Sequence, residues 1–284
     1  MMKKFFALAA LIAAFCVSAT AQTPADSVAI VKAKWQKTKL EKGIEARTAL
    51  FENLYKGPQA VSIIEISPKS KRKLDIAYDH KMVRTSEMAA AHNGVAAING
   101  SYYDMKHGTS VCFHKIDENV IDWTGRAELG ARVNGAVRTR DGKLEILDWS
   151  LEIEESYKEN KGTVLSSGPI MLRDGRIADF SKCSGSFIET KHPRSAIFTT
   201  RKGTIVFITV DGRSRDNSIG VSIPEFAHLV RVLGGEDAIN LDGGGSSTLW
   251  LKNAPEGGIL NYPCDNRKFD HKGERRVSNI IYVY

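Results

Sequence analysis

The sequence predicts an α/β protein of mixed α+β character, with a mixed β-sheet core, flanking helices and at least one βαβ unit near the C-terminus. Residues 204–210 (TIVFITV) form a near-continuous apolar run, which is typical of a strand covered on both faces. Ser222 and Glu225 form a capping-box pair before an amphipathic helix, and residues 238–241 return as a short apolar strand. Strands joined through a helix in this way should run parallel with a right-handed crossover, so both should end at the same sheet edge.

The first 21 residues have the pattern of a secretory signal peptide. Lys3 and Lys4 precede an apolar run over residues 5–17, and a triplet of small residues ends at Ala21. The run is too short for a stable membrane anchor. The sequence therefore predicts cleavage near Ala21 and a secreted or periplasmic protein, with no transmembrane segment in the mature chain. Lipidation at Cys16 is the minority alternative, because a bulky aromatic residue precedes it.

The composition is ordinary for a soluble globular protein, with 42% apolar and 26% charged residues. The formal charge of +7 falls to +5 once the two leader lysines are removed. This mild excess suits an acidic substrate and gives little support for nucleic-acid binding, so no nucleic-acid partner is predicted. In an oxidising compartment one pair among Cys112, Cys183 and Cys264 can form a disulfide, but the sequence specifies neither the pair nor the oligomeric state.

Two regions are predicted in the mature chain. Residues 22–56 are predicted to be a polar N-terminal helical segment, because apolar residues such as Trp35 and Leu40 fall near helical spacing. Gly57-Pro58 ends that segment. Because neither an internal repeat nor a low-complexity linker follows, residues 57–284 are predicted to form a single domain.

The stretch most specific for chemistry is residues 238–249 (AINLDGGGSSTL). Alternation along a strand places Asn240 and Asp242 on one face. Consecutive glycines allow positive φ and let a ligand approach the main chain, which suits an anion or a sugar. A tight turn with a capping Asp is the alternative, although a turn rarely needs three glycines. The residues predicted to bind substrate in this stretch are Asn240, Gly243, Gly244, Gly245, Ser246 and Thr248.

Other apolar segments also end in polar corners that contain glycine. They are Asn99-Gly100, Ser167-Gly168 and residues 211–213 (DGR), while Arg194 places a cation just before an apolar segment. We expect these corners to converge with Asp242 on a common cleft. Asp211 and Asp242, with Asp216 and nearby carbonyls, are possible ligands for Ca²⁺ or Mg²⁺, although no cofactor is predicted to be required.

The order of these segments resembles the phosphodiester glycosidase family, over roughly residues 90–284. Residues 239–248 and 194–197 carry the strongest likeness, and Asn99-Gly100 and residues 276–279 support it. The resemblance implies that the single domain is catalytic. It also implies hydrolysis of a sugar-1-phosphodiester at the glycosidic bond, releasing a sugar and a phosphomonoester.

The residues suit this chemistry on their own terms. A phosphate is a good leaving group, so the reaction needs a cation at the phosphate and a carboxylate near the anomeric carbon. The planar fork of Arg194 can bind two phosphate oxygens. Asp242 or Asp211 can act as nucleophile or base, and Asp242 is given the more central role because glycines follow it. Further substrate contacts are predicted from Asn99, Gly100, Ser167, Gly168, Arg213 and Arg276.

Several alternatives remain open from the sequence. Asp211 is almost equally well explained by a turn, and Arg194 by a structural pairing with a buried carboxylate. A metal-dependent phosphodiesterase that cuts the P–O bond and a non-catalytic glycan-binding module of the envelope are the competing functions. If the catalytic hypothesis is right, Asp242→Asn and Arg194→Ala should both lower turnover by orders of magnitude and leave the thermal midpoint nearly unmoved. Ser101 and Phe198 depart from the family pattern, which leaves the sugar preference open.

Overall fold

The computed structural model describes residues 23–284; the predicted signal peptide, residues 1–21, lies outside them. The helices are α1 (Pro24–Val31), α2 (Thr85–Ala91), α3 (Arg126–Ala131), α4 (Leu151–Ser156), α5 (Gly185–Glu189) and α6 (Ile223–Val232), with 3₁₀ turns at Gly244–Ser246 and Glu256–Gly258. The strands are β1 (Gln36–Glu41), β2 (Ile44–Phe51), β3 (Gln59–Ile66), β4 (Leu74–Arg84), β5 (Ala96–Asn99), β6 (His114–Ile116), β7 (Asn119–Asp122), β8 (Gly135–Arg140), β9 (Lys143–Asp148), β10 (Thr163–Ser167), β11 (Ile170–Arg173), β12 (Arg176–Ile177), β13 (Arg194–Thr200), β14 (Ile205–Val210), β15 (Gly235–Asn240), β16 (Leu249–Leu251) and β17 (Arg276–Val283). In this part of the chain no helix is both long and apolar enough to span a bilayer.

Three sheets organise these strands. The largest has eight strands in the order β1-β2-β3-β14-β13-β15-β11-β12. A five-stranded sheet has the order β7-β6-β10-β8-β9, and a four-stranded sheet has the order β16-β5-β17-β4. The combination of several sheets with flanking helices confirms the predicted α+β class.

The predicted strand–helix–strand unit is β14–α6–β15. Both strands pair antiparallel with β13, which lies between them, so β14 and β15 run parallel to each other. The helix begins at the predicted capping box, in which Ser222 and Glu225 satisfy each other's backbone N–H groups. Arg194 is opposite Val210 in this sheet, so the start of β13 and the ends of β14 and β15 meet at one edge.

Alternation along the central strands creates a core on each face of the large sheet. Phe198 and Ile208 pack in the same cluster as Phe226 of α6. Their neighbours Ile197 and Phe207 point the opposite way and pack against the two smaller sheets. Because β13 and β14 are buried on both faces, the edge where they meet β15 has a fixed position.

The N-terminal segment corrects one prediction. Within residues 23–56, the described part of the segment, only Pro24–Val31 is helical, and β1 and β2 follow as an antiparallel hairpin that joins the large sheet next to β3. The chain reverses at Gly43, whose φ is +80°. From there the buried side chains of Ile44 and Ala46 alternate with more exposed neighbours, a period of two that outweighs the helical spacing seen in the sequence.

The three cysteines within residues 23–284, whose pairing the sequence left open, are unpaired. Cys112, Cys183 and Cys264 are all free thiols in the described chain, so the disulfide that the sequence allowed does not form. Cys112 is sealed in an apolar cluster that contains Phe113 and Trp149, whereas Cys264 lies 3.8 Å from Nη1 of Arg213.

Candidate active site

Asp242 lies just beyond the end of β15, where it is partly accessible to solvent. Its Oδ1 accepts a hydrogen bond of 2.9 Å from the backbone N–H of Gly243. Burial of the carboxyl group raises the pKa of Asp242 above its usual range, while Ser246, Arg132, the Gly243 N–H and Arg275 oppose that rise. A carboxylate bordered by two guanidinium groups is therefore the centre of the site.

Asn99 holds the Asp242 loop in place. Its Nδ2 donates to the backbone carbonyl of Asp242 at 2.7 Å, and its Oδ1 accepts from Ser195 Oγ at 2.7 Å and from Thr248 N at 3.2 Å. The backbone of Gly100 adds a 3.0 Å bond from Asp242 N to its carbonyl. Because the Asn99 side chain is fully buried and committed to these partners, it positions the loop instead of contacting a sugar.

Asn240 and the Ser167-Gly168 corner lie beneath the same loop. Nδ2 of Asn240 donates to Tyr102 Oη and to the Gly168 carbonyl, each at 2.9 Å, and Ser167 Oγ donates to the Asn240 carbonyl at 3.0 Å. Asn240 and Ser167 are both fully buried. The structure brings these predicted substrate ligands to the site as supports for the loop.

Close contacts and backbone conformation explain why residues 243–245 are glycines. A Cβ on Gly243 would lie 2.5 Å from the carbonyl oxygen of Pro193, and a Cβ on Gly245 would overlap the guanidinium group of Arg275. Gly244 adopts a φ of +60°, in the left-handed region that favours glycine. The predicted need for three glycines is thus explained by the closeness of the Pro193 backbone, by the positive φ of Gly244 and by two arginines that lie against the loop.

Two arginines border the loop from outside. Arg213 is exposed, and its Nη2 lies 3.0 Å from where a Cβ on Gly244 would be. Arg275 is half-buried, pairs with Asp265 at 2.5 Å and interacts with the charge of Asp242. Arg276, which the sequence analysis selected, is exposed at the start of β17. Of these two adjacent arginines, Arg275 faces the site and Arg276 does not.

Arg132 is a further site residue that sequence reasoning missed. It follows α3, and its guanidinium carbon lies 3.7 Å from the ring centroid of Tyr102. Nε pairs with Glu128 at 2.6 Å, and the guanidinium also interacts with the Asp242 carboxylate. Stacking on a buried tyrosine and pairing with Glu128 hold this guanidinium group in one orientation.

Arg194 is at the predicted edge, but its guanidinium group is buried among main-chain carbonyls. Nε donates to Val221 O at 3.3 Å, and Nη2 donates to Phe187 O at 2.8 Å and Thr190 O at 2.9 Å. Burial lowers the pKa of Arg194 to about 10, and its charge interacts favourably with Asp242. A structural role therefore describes Arg194 better than direct phosphate binding. Its partners are backbone carbonyls, where the sequence analysis had considered a buried carboxylate.

Asp211 is also at this edge, and it is only 1% exposed. Burial raises its pKa to about 7, against opposing hydrogen bonds from Asn261 Nδ2 and the Tyr262 N–H. Asn261 donates to Asp211 Oδ1 at 2.9 Å and to Ser247 O at 3.0 Å, and it accepts from Leu249 N at 2.8 Å. Asp211 thus acts on the loop through Asn261, an isolated amide that no sequence pattern marked.

The predicted Ca²⁺ or Mg²⁺ site finds no matching set of ligands. Within residues 23–284, no three His, Cys, Asp or Glu side chains gather as they would around a metal ion. The carboxyl groups of Asp211 and Asp242 have separate neighbours, and those of Asp242 include the cations Arg132 and Arg275. The residues present do not fit a shared divalent cation, so we derive no step through one.

Comparison with known proteins identifies the class to which this fold and site belong. The phosphodiester glycosidase family model matches residues 92–284. The chain therefore belongs to the phosphodiester glycosidase family, which confirms the resemblance seen in the sequence.

Curated relatives include the human N-acetylglucosamine-1-phosphodiester alpha-N-acetylglucosaminidase, which is 29% identical over 215 residues, covering 70% of this chain and 39% of the human protein. The SPbeta prophage-derived uncharacterized protein YomE of Bacillus subtilis (strain 168) is 30% identical over 182 residues, covering 63% of this chain and 27% of that protein. The chain thus spans less than half the length of these relatives.

Among solved structures, the fold is similar to the catalytic domain of the zebrafish N-acetylglucosamine-1-phosphodiester alpha-N-acetylglucosaminidase, described as auto-inhibited by its pro-peptide. The TM-score is 0.66 at 18% identity, with 88% of each chain covered. A hypothetical protein from Synechocystis gives a TM-score of 0.63 at 17% identity, covering 88% of this chain and 63% of that one. These similarities support the fold.

Proposed function

We propose that this protein is a secreted or periplasmic hydrolase that cleaves the glycosidic bond of a sugar-1-phosphodiester, releasing the sugar and a phosphomonoester. The observation that carries the proposal is the carboxylate of Asp242 at a loop of glycines, where it interacts with the charges of Arg132 and Arg275. Such a charge set matches a substrate with an anionic phosphate next to an anomeric carbon. Family membership and the name of the human relative support the same reaction.

The chemistry follows from this arrangement. The bond between the anomeric carbon and the phosphate oxygen breaks, its electron pair leaves with the phosphate, and water supplies the new hydroxyl of the sugar. Arg132 and Arg275 stabilise the charge that develops on the leaving phosphate. Asp242 either takes the proton of the attacking water or forms a transient bond to the anomeric carbon. In both roles it acts as the ionised carboxylate.

The remaining residues of the edge hold this geometry. Asn99 fixes the backbone on either side of the glycines, and Arg194 fixes the start of β13. Asp211 fixes the far side of the loop through Asn261. We therefore assign direct chemistry to Asp242 and positioning roles to Asn99, Arg194 and Asp211.

Hydrolysis in ¹⁸O-labelled water tests the proposal. The probe is the methyl diester of α-N-acetylglucosamine 1-phosphate, chosen from the name of the human relative. Label in the released sugar means C–O cleavage and supports the proposal. Label in the phosphate means P–O cleavage, as expected for a phosphodiesterase. If this probe and a panel of other sugar 1-phosphate diesters bind without turnover, the protein is a binding module.

A further inference from the structure

A cavity of about 350 Å³ lies beside the catalytic loop, and we call it the basic cavity. Its volume is at the lower end of the range for small-ligand sites. Four cationic side chains line it, namely Arg213, Arg267, Lys268 and Arg275, together with one carboxylate, Asp265. The cavity therefore presents a strong excess of positive charge.

The basic cavity adjoins the site around Asp242 through two arginines. Arg275 lines the cavity, lies against Gly245 and interacts with the Asp242 carboxylate. Arg213 lines the same cavity and lies against Gly244. A phosphodiester bound at Arg275 with its sugar toward Asp242 would direct its other ester group into the basic cavity.

The charge of the cavity is only partly compensated, because Asp270 interacts with Lys268. Asp265 is paired with Arg275. Within the described chain, Arg213, Arg267 and Lys268 make no ion pair, and the last two are exposed at the rim. Arg213 and Arg267, together with the partly offset Lys268, leave a net positive charge around one concave surface, which attracts more negative charge than a single phosphodiester carries.

The wall of the cavity is ordered by its own contacts. The rings of Tyr262 and Phe269 stack with centroids 3.9 Å apart and an interplanar angle of 11°, and His271 packs 4.4 Å from Tyr262. His271 Nδ1 is 2.7 Å from the carbonyl of Asn261, the residue that also binds the catalytic loop. The cavity wall and the catalytic loop thus share one anchor, so their relative position is fixed.

We propose that the basic cavity binds the leaving group of the substrate and selects leaving groups that carry a second phosphate. This inference rests on the proposed function, because it assumes that Asp242 acts on the sugar side of a bound diester. The substrate class is then a sugar 1-phosphate esterified to a phosphorylated alcohol, as in a phosphate-bearing polymer or its fragments.

The test compares two diesters of α-N-acetylglucosamine 1-phosphate, one with methanol and one with glycerol 3-phosphate. The wild type should show a higher kcat/KM for the glycerol phosphate diester. The double variant Arg267→Gln, Lys268→Gln should reduce the ratio of the two kcat/KM values roughly tenfold. The matched control is Lys158→Gln, Lys161→Gln, which removes the same charge from two exposed lysines outside the cavity and should keep the ratio.

Equal kcat/KM values for the two diesters, or a control that lowers the ratio as much as the double variant, would overturn the cavity assignment. If the wild type hydrolyses neither diester nor any of the other sugar 1-phosphate diesters of the panel, the proposed function fails, and calorimetry with glycerol 1,3-bisphosphate then tests the cavity separately. Binding that weakens roughly tenfold in Arg267→Gln, Lys268→Gln and not in the control supports the anion site. Equal binding by all three proteins, or none, refutes it.

Discussion

Asp211 gives a quantitative prediction because its carboxyl group is buried with only part of its hydrogen-bonding capacity satisfied. Its pKa is raised from 3.8 to about 7 by burial. The folded protein therefore binds this proton more tightly than the unfolded chain does. The contribution of Asp211 to stability is fully present below about pH 4 and is lost as the pH rises toward 7, above which the penalty is constant. At about 1.4 kcal/mol per pKa unit, the total penalty is up to about 4 kcal/mol.

Asp211→Asn should remove this penalty. An amide oxygen can still accept from Asn261, and an amide does not ionise. Relative to wild type, the variant should gain about 1.4 kcal/mol of unfolding free energy per pH unit between pH 4 and 7, with no further gain above pH 7. Urea unfolding followed by tryptophan fluorescence from pH 4 to 8 measures this difference directly.

The matched control is Asp216→Asn, which removes a carboxylate from an exposed position a few residues away. It should change the unfolding free energy by less than about 0.5 kcal/mol at every pH. A difference between Asp211→Asn and wild type that does not vary with pH would refute the reasoning, because it would mean that Asp211 is already ionised in the fold at low pH. Loss of turnover as large as that of an Asp242 variant would refute the positioning role.

Three further predictions follow from the site. Asp242→Asn should lower kcat/KM by roughly a thousandfold or more without lowering the melting temperature. Arg194→Ala should instead destabilise the protein by about 2–4 kcal/mol, because it leaves buried carbonyls without their hydrogen-bond donor. Arg275→Gln should move the acidic limb of the pH profile of kcat/KM to higher pH, because a cation that lowers the pKa of Asp242 is lost. Gly243→Ala should cost about 1–3 kcal/mol through its contact with a main-chain carbonyl, while Gly185→Ala, which has open space around it, should be nearly neutral.

Each of these predictions has a contrary outcome. An unchanged melting temperature in Arg194→Ala would favour the role predicted from the sequence, in which the Arg194 guanidinium group binds the substrate phosphate. An acidic limb that does not move in Arg275→Gln would show that Arg275 does not influence the pKa of Asp242. Equal stability of the two glycine variants would show that the loop can shift away from Pro193. Melting curves and initial rates over a pH series provide all three measurements.

The sequence predicted the edge where the site forms because that edge depends on short-range patterns. A mainly apolar run that ends in Asp-Gly fixes both a buried strand and a polar corner, with seven residues before Asp211 and four before Asp242. The capping box of α6 fixes the connection between them. From these local signals the crossover rule brings both corners to the same end of the sheet. The N-terminal hairpin was missed because its turn at Gly43 carries little periodic signal.

The sequence could not predict which polar side chains face the cleft. Arg275 and Arg276 are adjacent, and only the phase at the start of β17 decides which one points toward Asp242. Arg132 follows a short helix with no buried residue, so no periodicity directs attention to it. For Asn99 the residue type suggested a ligand, but its role depends on partners that arrive from distant parts of the chain.

The amide of Asn99 has a consequence for how the enzyme matures. It bonds the Asp242 carbonyl, Ser195 and Thr248, and its partner Thr248 is 149 residues away in the chain. Contacts of such sequence separation require distant segments of the chain to come together, which slows folding. A growing or truncated polypeptide that stops before residue 248 therefore carries no competent centre. Turnover should appear only when the whole fold has closed, which makes activity a strict reporter of complete folding.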